Sequence, residues 1–376
     1  MERRRALTRH PPKGNLHGLR QVVPSAPIMA LFSRRKKTAV GLDIGSGLVK
    51  VAVIDHGGTE PELVRVAMAP LLTHAIVEGE VMDPVIVSDA ILSCLGAVEV
   101  QTPAVATAVG GRDVIVKKIT IDRVKESQAQ ELMRWEAEQH VPFDMDSVEL
   151  DFQILDPDAT DEQMQVLLVA AKRELVEAKL RVLAEPGLTA AIVDVDSFAL
   201  HNAFERSHPE AMSGGGGARQ HRPRGHQHQH RRGRGAGAHS GPRRSTRRFR
   251  EDLQRDLGLS VEEATAVLDS PDRSTALDAV LVARGEEIAV GIERAAAFLA
   301  SSSRSLIQVA SVYVCGGGAR TPGLLDTMGA RLRVPIMLAT PLANLAVRDG
   351  AFESLEAEEV APLFMQAIGL ALRVQG

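Results

Sequence analysis

The sequence predicts a two-lobed α/β protein that holds a phosphate-bearing ligand between its lobes. Two short apolar runs, far apart on the chain, each end in glycines: Gly41-Leu42-Asp43-Ile44-Gly45-Ser46-Gly47-Leu48-Val49-Lys50 and Val312-Tyr313-Val314-Cys315-Gly316-Gly317-Gly318-Ala319-Arg320. A chain of 376 residues is too long for one ordinary core and suits two domains of common size. Strand-like runs also alternate with amphipathic helical stretches along its length.

Each glycine run is a candidate half-site, because a residue without Cβ lets backbone N–H groups approach an anion closely. Asp43, directly after an apolar strand, suits a carboxylate that holds a metal through water. Ser46 can donate to a phosphate oxygen, and Lys50 lies in the next strand. Neither run is a P-loop, since Gly-Lys-Ser/Thr is absent, and neither is a dinucleotide fingerprint, since strand residues rather than a helix follow Gly47. The first run alone also reads as an ordinary hairpin turn. The second run on the same chain favours the phosphate reading.

The remaining elements follow in order. Residues 38–53 read as two strands around the glycine turn, and 104–109 with 114–119 as a strand pair across Gly110-Gly111. Ala129, Leu132, Met133 and Ala137 share one helical face, ended by Pro142, on a helix that carries the only tryptophan, Trp135. A second helix with Val176, Leu180 and Leu183 on one side stops near Pro186-Gly187, and 191–195 returns as a strand on which Asp194 and Asp196 would face the same side. Ile288, Ile292, Ala295, Ala296 and Leu299 form a stripe that reads as core between lobes.

Composition narrows the class. The two cysteines, Cys94 and Cys315, lie far apart, so no disulfide framework is expected and a reducing cytosol is the natural setting. No window approaches eighteen uninterrupted apolar residues, so no spanning helix is expected. The first residues are rich in arginine and proline without the apolar core of a signal peptide, and are expected to be disordered or to lie upstream of a true start at Met29. The basic run Ser33-Arg34-Arg35-Lys36-Lys37 reads as solvated surface or as a contact with anionic lipid.

The pattern Asp-x-Gly-x-x-x-x-Lys between two strands, with strand-Gly-Gly-Gly-Ala much later, resembles the actin/Hsp70/sugar-kinase superfamily. Glu131-Leu132-Met133-Arg134-Trp135-Glu136-Ala137-Glu138-Gln139-His140-Val141-Pro142-Phe143, then 150–155, 166–171 and 367–373, resemble the PilM family of type IV pilus assembly proteins over about 33–212 and 246–376. The resemblance implies an actin-like (duplicated ribonuclease H-like) two-lobed ATP-binding fold with an inserted α+β subdomain. The expected division is a basic upstream segment at 1–37, a nucleotide-binding core of lobe 1 at 38–102, the inserted subdomain at 103–188, completion of lobe 1 and an interdomain connection at 189–212, and lobe 2 at 246–376. ATP and Mg2+ are the implied cofactors. Asp43 is assigned to the metal, Gly45, Ser46 and Gly47 to the phosphates, and Gly316, Gly317 and Gly318 to the adenosine side, with Lys50, which matches the motif, and Asp194, at the interdomain connection, also assigned to cofactor binding. No catalytic residue is assigned, and the resemblance implies at most weak ATPase activity. It also implies a cytoplasmic platform that binds the cytoplasmic tail of an inner-membrane PilN-like protein, touches pilus motor components, and reaches the membrane only indirectly. An FtsA-like division protein would usually continue into an amphipathic membrane-targeting helix, and a small-molecule kinase would need a catalytic acid or base; neither signal stands out.

The tract 213–250 breaks every pattern, with eleven arginines, five histidines and no acidic residue. It could be read as a nucleic-acid tail, a metal tract or a linker. All three fail on position, because the tract sits where the resemblance requires a second phosphate loop. A permitted codon choice for Ala218 to Ala236, read one base later, gives LVNIGHEVTNINIVEDGV, a strand–turn–strand unit. The freedom is small at His226-Gln227-His228-Gln229-His230: in that frame a histidine codon followed by C gives only Ile or Thr, and a glutamine codon followed by C only Asn or Ser. The expectation is a frameshifted interval at 213–245. The formal net charge of −4 includes eleven positive charges from 213–250 and a net five from the first 28 residues, which leaves about −20 on the rest of the chain. Such a body repels nucleic acid. Sequencing the gene is expected to show a one-base offset entering near Gly217 and leaving near Ser245; silent substitutions in close strains that preserve the arginine–histidine frame would refute it.

Overall fold

The computed structural model describes residues 38–72, 74–77, 79–100, 102–124, 126–155, 162–212, 246–269, 275–303, 309–353 and 355–373. The expectations for 1–37 and 213–245 lie outside them.

Near-continuous runs of apolar and small residues along β1 (Thr38–Ile44) and β2 (Leu48–Asp55) leave both faces of each strand buried in its central part. They pair antiparallel across the glycine turn, and β3 (Glu62–Pro70) pairs antiparallel with β2. A two-residue hairpin, β4 (Ile76–Val77) and β5 (Glu80–Val81), leads to α1 (Pro84–Ala97). That helix starts where Asp83 accepts from the amides of Val85 and Ile86 and Pro84 presets the first turn. β6 (Ala104–Val109) lies parallel to β1.

The chain then leaves this sheet. β7 (Val114–Asp122), α2 (Glu126–His140), β8 (Val148–Ile154) and β9 (Gln163–Lys172) form a separate layer, with strand order β7-β9-β8. Ile119, Ile121, Val166 and Leu168 pack there with Met133 and Ala137. The expected strand pair across Gly110-Gly111 is therefore not a hairpin, because β6 pairs with β1 and β10 whereas β7 pairs with β9. The stripe on α2 is buried as its spacing predicts, with Ala129, Met133 and Ala137 fully inaccessible, while Trp135 points outward.

α3 (Arg173–Ala184) returns to the first sheet, where β10 (Thr189–Val195) adds parallel to β6. On α3 the buried residues are Val182 and Leu183; Leu180, expected on the packed face, is exposed. α4 (Asp196–Ser207) and α5 (Pro209–Met212) follow. Beyond the tract come α6 (Thr246–Leu257), α7 (Val261–Asp269), α8 (Thr275–Ser303), β11 (Val312–Val314), α9 (Leu324–Leu332), β12 (Ile336–Leu338), β13 (Ala346–Val347), α10 (Ala357–Val360) and α11 (Met365–Ala371).

The six-stranded sheet has the order β10-β6-β1-β2-β3-β13. One face, through Val40, Leu42, Val49, Val51 and Val53, packs on Val87 and Ile91 of α1 and Leu183 of α3. The other carries α4 and α11: Ala106 and Ala108 meet Ala199 and Leu370, and Ala52 and Ile54 meet Ala367 and Ile368. The second core gathers Phe249, Leu253, Leu277, Leu281 and Met328 around β11 and β12. The order helix, strand, helix, strand, helix occurs in both halves, as α1–β6–α3–β10–α4, with the separate layer inserted after β6, and as α8–β11–α9–β12–α11, with β13 and α10 between the last two, each with a parallel strand pair. Among the described residues, the sheet of the second half has two strands.

α11 reaches the first sheet by backbone contact. A Cβ on Gly41 would lie 2.0 Å from the Ala367 carbonyl oxygen, and one on Gly369 would lie 1.7 Å from that of Ala199. Gly41→Ala is expected to cost at least about 1–3 kcal/mol by overpacking. Gly96→Ala, on α1 with nothing within 4 Å of its added Cβ, is expected to gain up to about 1 kcal/mol. Denaturant unfolding of both variants checks the pair, and equal stabilities would contradict the close approach.

Candidate functional site

β1, β6 and β10 run parallel, so their carboxyl ends share one edge of the sheet. Ligands in open α/β sheets bind outside that edge. At the end of β1 the Gly45 amide closes the turn on the Leu48 carbonyl at 3.0 Å, and the Gly47 carbonyl accepts from the Leu71 amide. A Cβ added to Gly47 would meet nothing within 4 Å, so the tip of the turn, with Ser46 beside it, is open.

Asp43 and Lys50 are direct cross-strand partners in the ladder and form an ion pair with side chains only 7% and 14% exposed. Lys50 Nζ would lie 3.7 Å from a Cβ on Gly45, which puts the ammonium under the turn. One row spans the sheet: Asp194 on β10 faces Ala108 on β6, and one pair beyond Gly41 and Ala106 places Ala108 beside Asp43. At about 4.8 Å per strand, Asp194 is roughly 10 Å from Asp43.

The second glycine run comes to the same place. The Cys315 thiol, pushed up to about 11 by burial, feels the Lys50 charge pulling it down and the Asp43 charge pushing it up. Gly316 has φ +86°, the left-handed region that favours glycine, and its amide donates to the Pro362 carbonyl at 3.0 Å. A Cβ on Gly317 would meet Leu363 at 3.8 Å. Leu363 and Phe364 in turn pack with Ala52 and Ile54 of β2, so the segment leading into α11 fastens the second run to the first. The Gly318 carbonyl accepts from the Thr321 amide, and the Thr321 hydroxyl is buried without a hydrogen-bond partner.

Asp194 and Asp196 do not share a strand face as expected, since Asp194 belongs to β10 and Asp196 opens α4. The Asp194 Oδ1 accepts from the Val195 amide at 2.8 Å. Its Oδ2 lies 3.1 Å from Arg373 Nε, an ion pair without hydrogen-bond alignment. Burial pushes this carboxyl above the usual range, against the pull of Arg373 and the Val195 amide. The Asp196 side chain instead fills the space a Cβ on Gly110 would need, 2.1 Å from its Oδ2, and its Oδ1 accepts from Gln366 Nε2 at 2.8 Å. The sequence reading gives Asp196 only as a same-face neighbour of Asp194 and gives Gln366 and Arg373 no site role. Asp196 carried a signal as the second acid of Asp-Val-Asp; the other two carried none.

An open glycine turn above a lysine suits a phosphate anion. Among the described residues no group of three or more His, Cys, Asp or Glu side chains could hold a metal. Mg2+ in nucleotide sites takes one or two carboxylates plus the ligand's phosphates and keeps several waters, and Asp43 fits that role. Surface depressions of about 350 Å3 beside Asp55, Glu60 and Glu62 and about 310 Å3 beside Arg134, Phe143 and Asp146 are lined by none of the site residues.

The model of the family described as type IV pilus assembly protein PilM matches residues 41–219 and 245–375. The chain belongs to this family. The match breaks off across 220–244, inside the arginine–histidine tract. Among solved structures, a chain of the PilM–PilN type IV pilus biogenesis complex is similar at a TM-score of 0.70 and 27% identity, covering 90% of this chain and 99% of that one. The ethanolamine utilization protein EutJ from Carboxydothermus hydrogenoformans gives 0.46 and 15% over 89% of each chain, too loose to add to the reading. The architecture is the actin-like α/β fold. No helix among the described residues is long and apolar enough to cross a membrane.

A carboxyl raised on folding costs stability at neutral pH and regains it as pH falls through the folded value. The stability of the wild-type chain relative to Asp194→Asn is therefore expected to improve between about pH 7 and pH 4. Unfolding curves across that range check it; a slope of the opposite sign would contradict the burial of Asp194.

Proposed function

We propose that this chain is a nucleotide-binding platform of the type IV pilus machinery that takes ATP with Mg2+ at the Asp43–Lys50 centre. The observation that carries the reading is the buried Asp43–Lys50 pair under the open glycine turn, with the second glycine run held to the same sheet through Pro362 and Leu363. Gly45, Ser46, Gly47 and Lys50 would meet the phosphates, Asp43 would hold the metal through water, and Gly316, Gly317 and Gly318 would line the adenosine side. The metal would neutralise phosphate charge there. Asp194, two strands from Asp43 in the same sheet, would neighbour the site while paired with Arg373.

The partner reading rests on the similar chain of the PilM–PilN complex. By that likeness, this chain would bind the cytoplasmic tail of a PilN-like inner-membrane protein, work on the cytoplasmic side, and reach the membrane through that partner. A nucleotide that binds one conformation better would shift the population of the partner-binding surface with it. Residues 213–245 would stand, as a frameshifted tract, where a second phosphate loop is expected; among the described residues the sheet of the second half consists of β11 and β12.

Isothermal titration with ATP and Mg2+ tests the reading on two proteins, the chain as written and a version carrying the one-base-shifted product in place of the tract. The first is expected to bind weakly or not at all and the second to bind. Asp43→Ala in the second should weaken binding about tenfold or more and weaken nucleotide-dependent capture of the partner tail. Equal tight binding by both would make the second loop dispensable, and no binding by the shifted version would sink the ATP reading.

A further inference from the structure

The carboxylates around the glycine turn all have partners of their own. Asp43 has Lys50, Asp194 has Arg373 and Asp196 has Gln366. The first of these is placed by the strand ladder itself, since Asp43 and Lys50 are direct cross-strand partners. Lys50 is thus present beside Asp43 whenever the hairpin is folded. Both side chains are largely out of solvent, where a charge without its counter-charge is strongly disfavoured.

We propose that Lys50 is a built-in cation that keeps the Asp43 carboxylate closed to free divalent ions, so that a metal gains Asp43 only in the company of a polyphosphate. This rests on the nucleotide reading of the site and adds an order of binding to it. A free divalent ion arriving alone would have to displace an ammonium already held at contact, in return for one carboxylate. A polyphosphate changes the balance. Its charge enters at the turn whose tip is open at Gly47 and whose Gly45 lies over the Lys50 ammonium. The flexible four-carbon stem of Lys50 lets its ammonium turn from Asp43 to the incoming anion. Asp43 is then left without its cation at the moment one arrives with the phosphates. The other carboxylates do not substitute for it, because Asp194 is paired with Arg373 and Asp196 is lodged in the Gly110 notch under Gln366.

The test uses Mn2+ alone, without nucleotide, on the full chain, with free Mn2+ measured by electron paramagnetic resonance. At about 1 mM Mn2+, a concentration where weak carboxylate sites begin to fill, the wild-type chain is expected to bind no more than Asp43→Asn, both showing only the background of an acidic surface. Lys50→Met is expected to gain one site at least about tenfold tighter than that background, and the double variant Asp43→Asn/Lys50→Met to lose it. A wild-type site that disappears in Asp43→Asn would overturn the proposal, as would a folded Lys50→Met that binds no more than wild type. Circular dichroism establishes folding, and Lys50→Gln replaces Lys50→Met if the latter does not fold. Should neither fold, the comparison of wild type with Asp43→Asn still decides, equal binding supporting the proposal and a lost site refuting it. Failure of the shifted-frame protein to bind ATP would remove the nucleotide reading while leaving this Mn2+ result to stand or fall separately.

Discussion

Helix α11 rests on bare backbone, and the rest of the site depends on that contact. Gly41 of β1 and Gly369 of α11 leave no room for a Cβ against Ala367 and Ala199 respectively. The strand, α11 and α4 can therefore approach more closely than side chains would allow. His56 Nε2 meets the Ala371 carbonyl at the far end of α11, and the helix itself is buried at Met365 and from Ala367 to Ala371. Because α11 is seated this way, Gln366 reaches Asp196, Arg373 reaches Asp194, and Pro362 receives the Gly316 amide. A helix held one side-chain diameter further out would carry all three away together.

Charge is managed differently at the site and away from it. Asp252 on α6 is buried and gripped by Arg284 of α8 and by Arg255. Burial pushes its carboxyl up, and the hydrogen bonds and charges of the two arginines outweigh that and hold it below the usual range. That is an ion pair that joins helices. Asp43 and Lys50 sit instead at the mouth of an open turn, with the thiol of the second glycine run in their field. The same chemistry of paired charges thus fixes a core in one half and, in the other, places a lysine ammonium beside an open glycine turn. A lysine rather than an arginine at the second place matters, since its point charge on a flexible stem can change partners where a bidentate fork would be held.

What the sequence made legible was mostly local. The hairpin around Gly45–Gly47 joins adjacent residues, so its apolar runs and turn glycines suffice to define it. The buried stripe on α2 follows from period alone. Pairing at a distance was not legible: β6 and β7 are neighbours in sequence yet enter different sheets, because β9 offers β7 a full antiparallel ladder. Leu180 fits a helical stripe but is left exposed on α3 by the described residues. Asp196 was read on a strand because nothing in Asp-Val-Asp marks where β10 yields to α4. Its partner Gln366 is 170 residues away, beyond any periodic signal. The site residues named from sequence fall into a first-sheet group, Asp43 to Lys50 with Asp194, and a second group at Gly316 to Gly318, and it is the fold that brings the groups together.

The convergence of those two groups can be measured through Cys315. In a Cys94→Ala background, which removes the other thiol, the dependence of alkylation rate on pH gives the Cys315 ionisation directly. If the second glycine run lies in the field of the first, Asp43→Asn lowers the Cys315 pKa, because it removes a charge that opposes the thiolate, and Lys50→Met raises that pKa, because it removes one that favours the thiolate. Shifts of opposite sign in the two folded variants are the predicted result. An unchanged Cys315 in both would mean that the two glycine runs do not form one site.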